Sequence, residues 1–474
     1  MVGVPHSSGC ATCVKRRIKC DERFPGCAKC EKYGKPCPGY DRGFKFIAGK
    51  PYRTPRQKSK TDTGSSSEER SKTGSPTTSD ISQVGPQAVV LKEQPWSLTY
   101  GDVNVMQSLE TLIDQFSQPG PSSQKHLVSQ WFGFLPSVYG HSQTLDASIK
   151  SFAAHHFGKV FQNDQMIAYA RAAYGEALYR LRKALKNPSE CFSSHVFYSV
   201  VLLCLYELFT DTEDPESWMK HAKGLGQLVK IRGPERYRND LDITLLKVSR
   251  GLIVMHSMFS GEPCFLATEE WHQMMRQQRV PGISPDFHNS VEQFFAYFTY
   301  APSLVHKFYH LKHIDISTPE ALPIISATLE QALDLQSKLA PWYEQFSRIA
   351  PPPLDTLAST DDPLYPIILT YSDMNHASIY CGYYAYMVII HEILKTFGYP
   401  GPQAAMVIYY RDQICRSVEY SSVGVLGPYR LGFPLRIAIE VADSATRLWI
   451  LARLEQFSKV YAASEPKNYE PIMP

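Results

Sequence analysis

The sequence has no apolar run of the length that crosses a membrane. The candidate segment Phe192–Phe209 is interrupted by Tyr206 and Glu207, whereas a spanning helix needs about 20 mostly apolar residues. Residues 1–8 contain no apolar core of a secretory signal. We therefore expect no membrane partner, and a reducing compartment in which disulfide frameworks are rare.

Catalytic signatures are also missing. His391–Glu392 begins the HExxH pattern of zinc proteases, but Lys395 stands where the second histidine is required. Gly43–Lys50 is one residue too long for a phosphate-binding loop, and no GxSxG elbow or GxGxxG fingerprint is present. These absences predict that the chain is not an enzyme.

The region between Asp41 and Trp96 lacks the heptads of a coiled coil, which require apolar positions sustained over three or four repeats. It begins with scattered Lys and Arg and continues with Ser, Thr, Gly and Pro, a composition that cannot bury enough apolar surface to fold. We expect residues 41–95 to be a flexible linker. A monomer and a homodimer held through the C-terminal body are then both open.

Six cysteines stand near the N-terminus in two halves of identical spacing, Cys-x2-Cys-x6-Cys: Cys10, Cys13, Cys20, Cys27, Cys30 and Cys37. Six thiolates complete two tetrahedral sulfur sites if two of them bridge both metals. The first cysteine of each half, Cys10 and Cys27, is placed to be the bridge. The sequence therefore predicts a structural site for two Zn²⁺, with a disulfide framework as the alternative.

The charge of the chain is concentrated around these cysteines. Residues 1–60 hold 15 Lys and Arg against 4 Asp and Glu, a formal +11, while the whole chain carries +3, so +3 less +11 leaves −8 for the rest. Four cations lie inside the first half: Lys15, Arg16, Arg17 and Lys19. Arginine suits the paired acceptors of guanine in the major groove. A small basic module on an acidic body indicates nucleic-acid binding.

The stretch from Gly9 to Tyr40 resembles the Zn(II)2Cys6 binuclear cluster of fungal transcription factors in its ligand spacing, its basic run and the position of Pro25. The resemblance implies a DNA-binding domain over residues 9–40, with a short helix that reads CGG-type triplets. It implies that Arg16 and Arg17 read bases. The same resemblance places Lys15, Lys19 and Arg23 near phosphates.

The remainder of the chain reads as helical. Ile167 to Leu185 repeats apolar residues every three or four positions, and Ile379–Ile390 resembles Phe192–Phe209 as a buried helix. The Trp218, His221, Gly224 and Arg-Gly pattern in residues 216–237 resembles the fungal-specific transcription factor domain. The predicted fold is a small metal-stabilised Zn2Cys6 cluster domain and a large all-α regulatory domain over residues 103–460, joined by a disordered linker.

Several residues of the helical region are compatible either with core packing or with binding of a metal or ligand. We predict that His221 is packed with a local hydrogen-bond partner rather than bound to a metal, and that Gly224 allows a close helix crossing. The five remaining cysteines are expected in the core: Cys191, Cys204, Cys264, Cys381 and Cys415. The tyrosines of residues 380–386 and the aromatic residues of 294–300 suit a core or a pocket.

The expected function is that of a nuclear, sequence-specific transcription factor of RNA polymerase II genes. Its expected partners are double-stranded DNA with CGG-like triplets, and the transcription machinery or co-regulators. The alternative is a zinc-cluster protein-interaction module on a helical scaffold that does not read DNA. Two adjacent arginines between the ligands favour DNA reading, since an interaction module has no need of them.

Overall fold

The computed structural model describes residues 11–21, 27–35, 37, 100–117, 130–210, 217–280, 282–315 and 318–469. The chain divides into two units, Met1–Lys92 and Glu93–Pro474. The predicted linker lies outside the described residues, and so do Cys10 and Arg23. Among the helices that are described, none is long and apolar enough to cross a membrane.

The described part of the first unit contains two short helices, one in each half of the cysteine pattern. Helix α1 is Ala11–Lys15 and helix α2 is Ala28–Glu31. The two halves are related by a shift of 17 residues, which places Cys13 over Cys30 and Cys20 over Cys37. The tandem spacing of the sequence is therefore a repeat of local structure as well.

The second unit is mostly helical, as predicted. Its helices are α3 Tyr100–Phe116, α4 Leu135–Val138, α5 Gln143–Val160, α6 Asp164–Leu185, α7 Ser194–Phe209, α8 Ser217–Arg232, α9 Asp240–Ser260, α10 Glu269–Gln277, α11 Pro285–Phe298, α12 Ala301–Lys312, α13 Ala321–Ile349, α14 Met374–Thr396, α15 Gln403–Arg416, α16 Val418–Ser421, α17 Gly427–Glu440 and α18 Ser444–Ser458. Short 3-10 turns occupy Trp131–Phe134, Pro234–Arg236, Phe265–Ala267, Ala462–Ser464 and Pro466–Tyr469.

A two-stranded antiparallel hairpin interrupts the helices, which the all-α expectation omitted. Strand β1, Leu354–Leu357, pairs with β2, Ile367–Thr370, with Leu354 opposite Thr370. The three prolines of residues 351–353 end α13 and favour extended backbone, because proline cannot continue a helix. Neither strand alternates apolar and polar residues, since β1 reads Leu-Asp-Thr-Leu and β2 reads Ile-Ile-Leu-Thr, so the sequence carries no strand signal here.

The two helices predicted to be buried form the centre of the core. Every residue of α7 from Val196 to Phe209 is buried, and in α14 all residues from Ile379 to Ile390 except Gly382 are buried. Both helices begin with a side-chain cap, from Ser193 and Asp373 respectively. Such capping satisfies backbone N–H groups that have no partner inside the helix.

The prediction for α6 was right for only part of its apolar stripe. Ala170, Ala177 and Leu181 are buried, whereas Leu178 and Leu185 are exposed. The aromatic stripes belong to the core: Phe298 packs edge-on against Tyr386, with ring centroids 5.5 Å apart. Their packing against each other explains the stripes without a ligand.

The core also contains an ionic group that sequence reasoning missed. Lys247 and Arg250 of α9 bind the two carboxylate oxygens of Glu292 on α11 at 3.0 and 2.6 Å, and all three side chains are buried. Burial lowers the pKa of Lys247 to about 8, although Glu292 opposes this shift. Burial raises the pKa of Glu292, but Arg250 and Lys247 outweigh it, so the pKa is lowered. The carboxylate therefore stays ionised.

Candidate metal centre and nucleic-acid interface

Five of the six predicted zinc ligands are described, and their sulfur atoms form two groups of three. Cys13, Cys20 and Cys27 make one group, and Cys27, Cys30 and Cys37 make the other. Within each group the Sγ atoms lie within 4.8 Å of one another. Cys27 is common to both groups, which is the arrangement expected of a bridging ligand.

The separation of the sulfur atoms fits zinc coordination. The Sγ atoms of Cys13 and Cys27 are 3.6 Å apart, which is far too long for the ~2.05 Å bond of a disulfide. Four sulfurs at ~2.3 Å from zinc in a tetrahedron lie ~3.8 Å from each other. The described cysteines form no disulfide, so their geometry fits metal ligands and disfavours the alternative interpretation.

Both halves hold their cysteines by the same backbone turn. The N–H of Ile18 donates to the carbonyl of Cys13 at 3.1 Å, and the N–H of Lys35 donates to the carbonyl of Cys30 at 3.3 Å. This bond spans five residues and ends each short helix, as in a Schellman motif. In the second half Cys27 also caps α2, since its Sγ accepts from the N–H of Cys30 at 3.3 Å.

The turn requires a left-handed residue, and the two halves supply different ones. Gly34 has φ +71° in the second half, and Arg17 has φ +54° at the equivalent position of the first. Glycine adopts this conformation without strain, whereas a residue with a Cβ atom pays about 1–2 kcal/mol. Arg17 therefore holds a left-handed conformation that is strained for arginine but not for its counterpart, Gly34.

The cations of the first half are exposed but do not share one helix. Helix α1 ends at Lys15, so Arg16 and Arg17 lie in the turn that follows, not on the helix as the resemblance implied. Lys19 is exposed two residues further on. The left-handed residue of the turn ends the helix early.

Tyr33 contacts Arg16 across the two halves, a contact that sequence reasoning missed. The guanidinium carbon of Arg16 lies 3.5 Å from the centroid of the Tyr33 ring. Tyr33 is the residue equivalent to Arg16 in the second half, and it is half exposed. The 17-residue repeat could have indicated this pair, because it makes Arg16 and Tyr33 equivalent positions of the two halves. This cation–π contact restrains the guanidinium at the surface.

The tryptophan, histidine and glycine pattern of residues 216–237 lies mainly on α8 of the helical unit. The hydroxyl of Tyr174 is 2.8 Å from Nε2 of His221 and also donates to the carboxylate of Glu207. Burial lowers the pKa of His221, so the ring is neutral near pH 7. His221 is thus a packed histidine with a local partner, as predicted.

The prediction for Gly224 was wrong. Gly224 is exposed, and a Cβ atom there would meet nothing within 4 Å. Gly226 lies at the helix crossing instead, where a Cβ would lie 3.8 Å from Ile253 and Phe265. The sequence pattern predicted that Gly224 lies on the packed side of α8, but in the structure Gly224 faces solvent.

The remaining cysteines are mostly core residues, as predicted. Cys204, Cys264, Cys381 and Cys415 are buried, and Cys191 is partly exposed. Burial raises the pKa of all four buried thiols, that of Cys415 to about 12. Their thiolates are disfavoured, so these cysteines are not reactive nucleophiles.

Two family models match the chain. The Fungal Zn(2)-Cys(6) binuclear cluster domain matches residues 8–45, and the Fungal specific transcription factor domain matches residues 118–471. The second match covers most of the chain. Together they place both the cysteine pattern and the helical unit among known fungal regulatory domains.

The chain is also similar to curated fungal proteins over short segments. It is 64% identical over 33 residues to White-opaque regulator 2 of Candida albicans, covering 7% of each chain. It is 47% identical over 51 residues to Arginine metabolism regulation protein II of Saccharomyces cerevisiae, covering 10% of this chain and 6% of that one.

A longer match has lower identity: 25% over 129 residues, 27% of each chain, with an uncharacterized protein of Emericella nidulans. The chain therefore spans about a quarter or less of the length of these relatives. No solved structure matches.

Proposed function

This chain belongs to the family of fungal transcription regulators with a Zn(2)-Cys(6) cluster and a helical regulatory domain, and on that premise we propose that it reads CGG-type triplets in the major groove. The cluster domain binds two zinc ions, and the chain is a DNA-binding regulator. The triplet, the RNA polymerase II genes that it would control and the nuclear location belong to the proposal.

The observation that carries the proposal is the display of Arg16 and Arg17. Both side chains are exposed in the turn after α1. Arg16 makes a cation–π contact with Tyr33, which restricts the motion of its guanidinium. Arginine donates two hydrogen bonds to O6 and N7 of guanine, so two displayed arginines favour a G-rich triplet.

We assign the metal ligands and the DNA contacts by the same reasoning. The ligands are Cys13, Cys20, Cys27, Cys30 and Cys37, with Cys10 completing the set beside Cys27 as second bridge. Cys10 and Arg23 lie outside the described residues: Cys10 rests on the spacing of the two halves, and Arg23 on the resemblance alone. The exposed ammonium groups of Lys15 and Lys19 suit phosphates, and the resemblance assigns Arg23 to phosphates as well.

The deciding experiment is selection from a random duplex pool with the full-length, zinc-loaded chain. Enrichment of a CGG-like triplet is expected. One triplet indicates a monomer, whereas a pair at fixed spacing indicates a homodimer through the helical unit. If the chain holds two zincs and selects no sequence, the protein-interaction function takes the place of DNA reading.

Single substitutions separate base reading from charge. Arg17→Ala is expected to cost about 1–3 kcal/mol at one base pair, while Lys19→Ala weakens all duplexes alike and lowers the salt dependence. Lys32→Ala is the matched control, since it removes one cation from the less basic half and should leave base preference unchanged. Equal loss of specific and non-specific binding in Arg17→Ala contradicts the assignment of Arg17.

A further inference from the structure

The helical unit contains an open cleft that has no part in the DNA site. Its volume is about 650 Å³, and it lies between the start of α7, the turn after α8 and the start of α9. Three arginines line it, Arg232, Arg236 and Arg238, together with Glu235 and Asp242. A cleft with this many charged residues is not explained by core packing.

Arg232 forms the buried floor of the cleft and is fixed on several sides. It is 4% exposed. Its Nη1 donates to the carbonyl of Ser193 at 3.1 Å, and its Nη2 pairs with Asp242 at 3.1 Å. The rings of Phe197 and Tyr237 lie 4.9 and 5.1 Å from the guanidinium carbon. A guanidinium held in this way is preorganised for a ligand.

Two buried polar atoms of the floor lack partners among the residues that the structure describes. One is Nε of Arg232, a donor, and the other is Oδ1 of Asp242, an acceptor. The other oxygen of Asp242 is fully engaged: it accepts from Ser194 at 3.0 Å and from Asn239 at 3.0 Å. The hydroxyl of Tyr237, whose ring lies beside the Arg232 guanidinium, is a third buried polar atom without a partner in the described part of the chain. Buried polar groups are rarely left unmet, so the three atoms together point to a missing group that both accepts and donates.

The rim of the cleft adds positive charge. Arg236 is exposed, lies 4.7 Å from the ring of Phe192 and makes no ion pair with any described residue. Arg238 pairs with Glu235 at 3.2 Å, but both are largely exposed, and such pairs open at little cost. With Arg232 paired to Asp242, the lining keeps one uncompensated cation. The N-terminus of α7 adds partial positive charge.

We propose that this cleft binds a small oxyanion, a carboxylate or a phosphate that also carries a hydrogen-bond donor. An anionic oxygen accepts from Nε of Arg232, the hydroxyl of the ligand donates to Oδ1 of Asp242, and Arg236 closes over the charge. Arginine donates hydrogen bonds to carboxylates and to phosphates alike. The ligand would act as an effector of the regulatory unit, and its binding does not depend on which DNA the cluster reads.

The test is isothermal titration of the full-length, zinc-loaded chain with inorganic phosphate and, separately, with malate, which has a hydroxyl beside its carboxylates. Saturable binding of at least one probe is expected. Phosphate alone indicates a phosphorylated effector, malate alone indicates a carboxylate effector, and either supports the cleft.

Arg236→Gln is the informative variant, because Arg236 is exposed and its loss leaves the buried floor intact. It should weaken binding about tenfold or more. Arg348→Gln, an exposed arginine at the end of α13, is the matched control and should bind like the wild type. Absence of binding by both probes overturns the proposal. Unchanged affinity in Arg236→Gln overturns it as well, since the anion then binds elsewhere.

Discussion

Arg17 combines an unfavourable backbone with an exposed charge, and the equivalent Gly34 shows that the turn itself needs no side chain. Strain of this kind persists where the side chain has a use. The cluster therefore gives up some stability to present a guanidinium at this point of the turn. The fold of the turn requires only a left-handed residue at this position, and the arginine side chain is an addition that serves function.

Replacing Arg17 with glycine should separate these two requirements. We expect Arg17→Gly to keep or improve zinc affinity, by up to about fivefold, since glycine relieves about 1 kcal/mol of strain. Arg17→Ala should keep the strain. Both variants should lose the same base discrimination. Competition with a zinc chelator measures the first effect and duplex binding the second; retained discrimination in Arg17→Gly would show that the side chain reads no base.

At the scale of single elements, helix α9 ends in a left-handed glycine and contains a second glycine in an ordinary helical position. Gly261 has φ +71°, and a Cβ atom there would lie 2.7 Å from His306. Gly251 lies within α9, and a Cβ there would meet nothing within 4 Å. The same substitution should therefore have opposite effects ten residues apart.

We expect Gly261→Ala to destabilise the helical unit by about 1–2 kcal/mol, because it adds backbone strain and a steric contact. Gly251→Ala should instead stabilise the unit by about 0.5–1 kcal/mol, because alanine has the higher helix propensity. Urea denaturation followed by tryptophan fluorescence measures both. Equal effects of the two substitutions would contradict this account of the end of α9.

The elements also show which kinds of information the sequence holds. Period and composition predicted the burial of α7 and α14, because both helices are apolar on every side. They did not predict the β1–β2 hairpin, because neither strand alternates apolar and polar residues. Nor could they pair Lys247 with Glu292, which lie 45 residues apart, since such a contact depends on how α9 packs against α11.

Some features of the candidate site could be predicted from the sequence, and others could not. Spacing predicted the cysteine ligands, because the ligands of a small cluster lie close in sequence, and the local excess of positive charge pointed to the cations beside them. The early end of α1 and the stack of Arg16 on Tyr33 depend on backbone conformation. Only an alignment of the two halves would have indicated them. The cleft beside Arg232 could not be predicted, because its walls come from three separate helices.

At the scale of the whole molecule, the two units should respond independently to loss of metal. Chelation of zinc is expected to unfold residues 9–40, because folding and metal binding are coupled in so small a domain. The helical unit should stay folded, since its core contains none of these ligands. Hydrogen exchange measured by mass spectrometry should show fast exchange in residues 9–40 and no change in 130–469. Persistent protection of the cluster would refute the coupling.

The helical unit should be sensitive to acid. Burial lowers the pKa of both His155 and His156 from 6.5 to about 4. Between those values the unfolded chain binds more protons than the folded one, so stability falls as the pH falls from about 6.5 towards 4. Each histidine should cost about 2 kcal/mol of unfolding free energy between pH 7 and pH 5.

His155→Phe tests this prediction, because phenylalanine keeps an aromatic ring beside Tyr206 but cannot be protonated. The variant should lose less stability between pH 7 and pH 5 than the wild type, by about 2 kcal/mol. His310→Phe, at an exposed position of α12, is the control and should follow the wild type. Tryptophan fluorescence reports this unit alone, since all six tryptophans follow residue 95. An unchanged pH dependence in His155→Phe would contradict the prediction.

Cys27 belongs to both sulfur groups, and this has a consequence for how zinc loads the cluster. A ligand shared by two sites couples them: the first ion to bind orders the sulfur atoms that the second ion requires. We expect occupancy to rise sigmoidally with free zinc, with few half-loaded molecules at any concentration. A cell short of zinc would then hold two populations, one fully competent and one inert, and the active fraction would change steeply across a narrow range of metal.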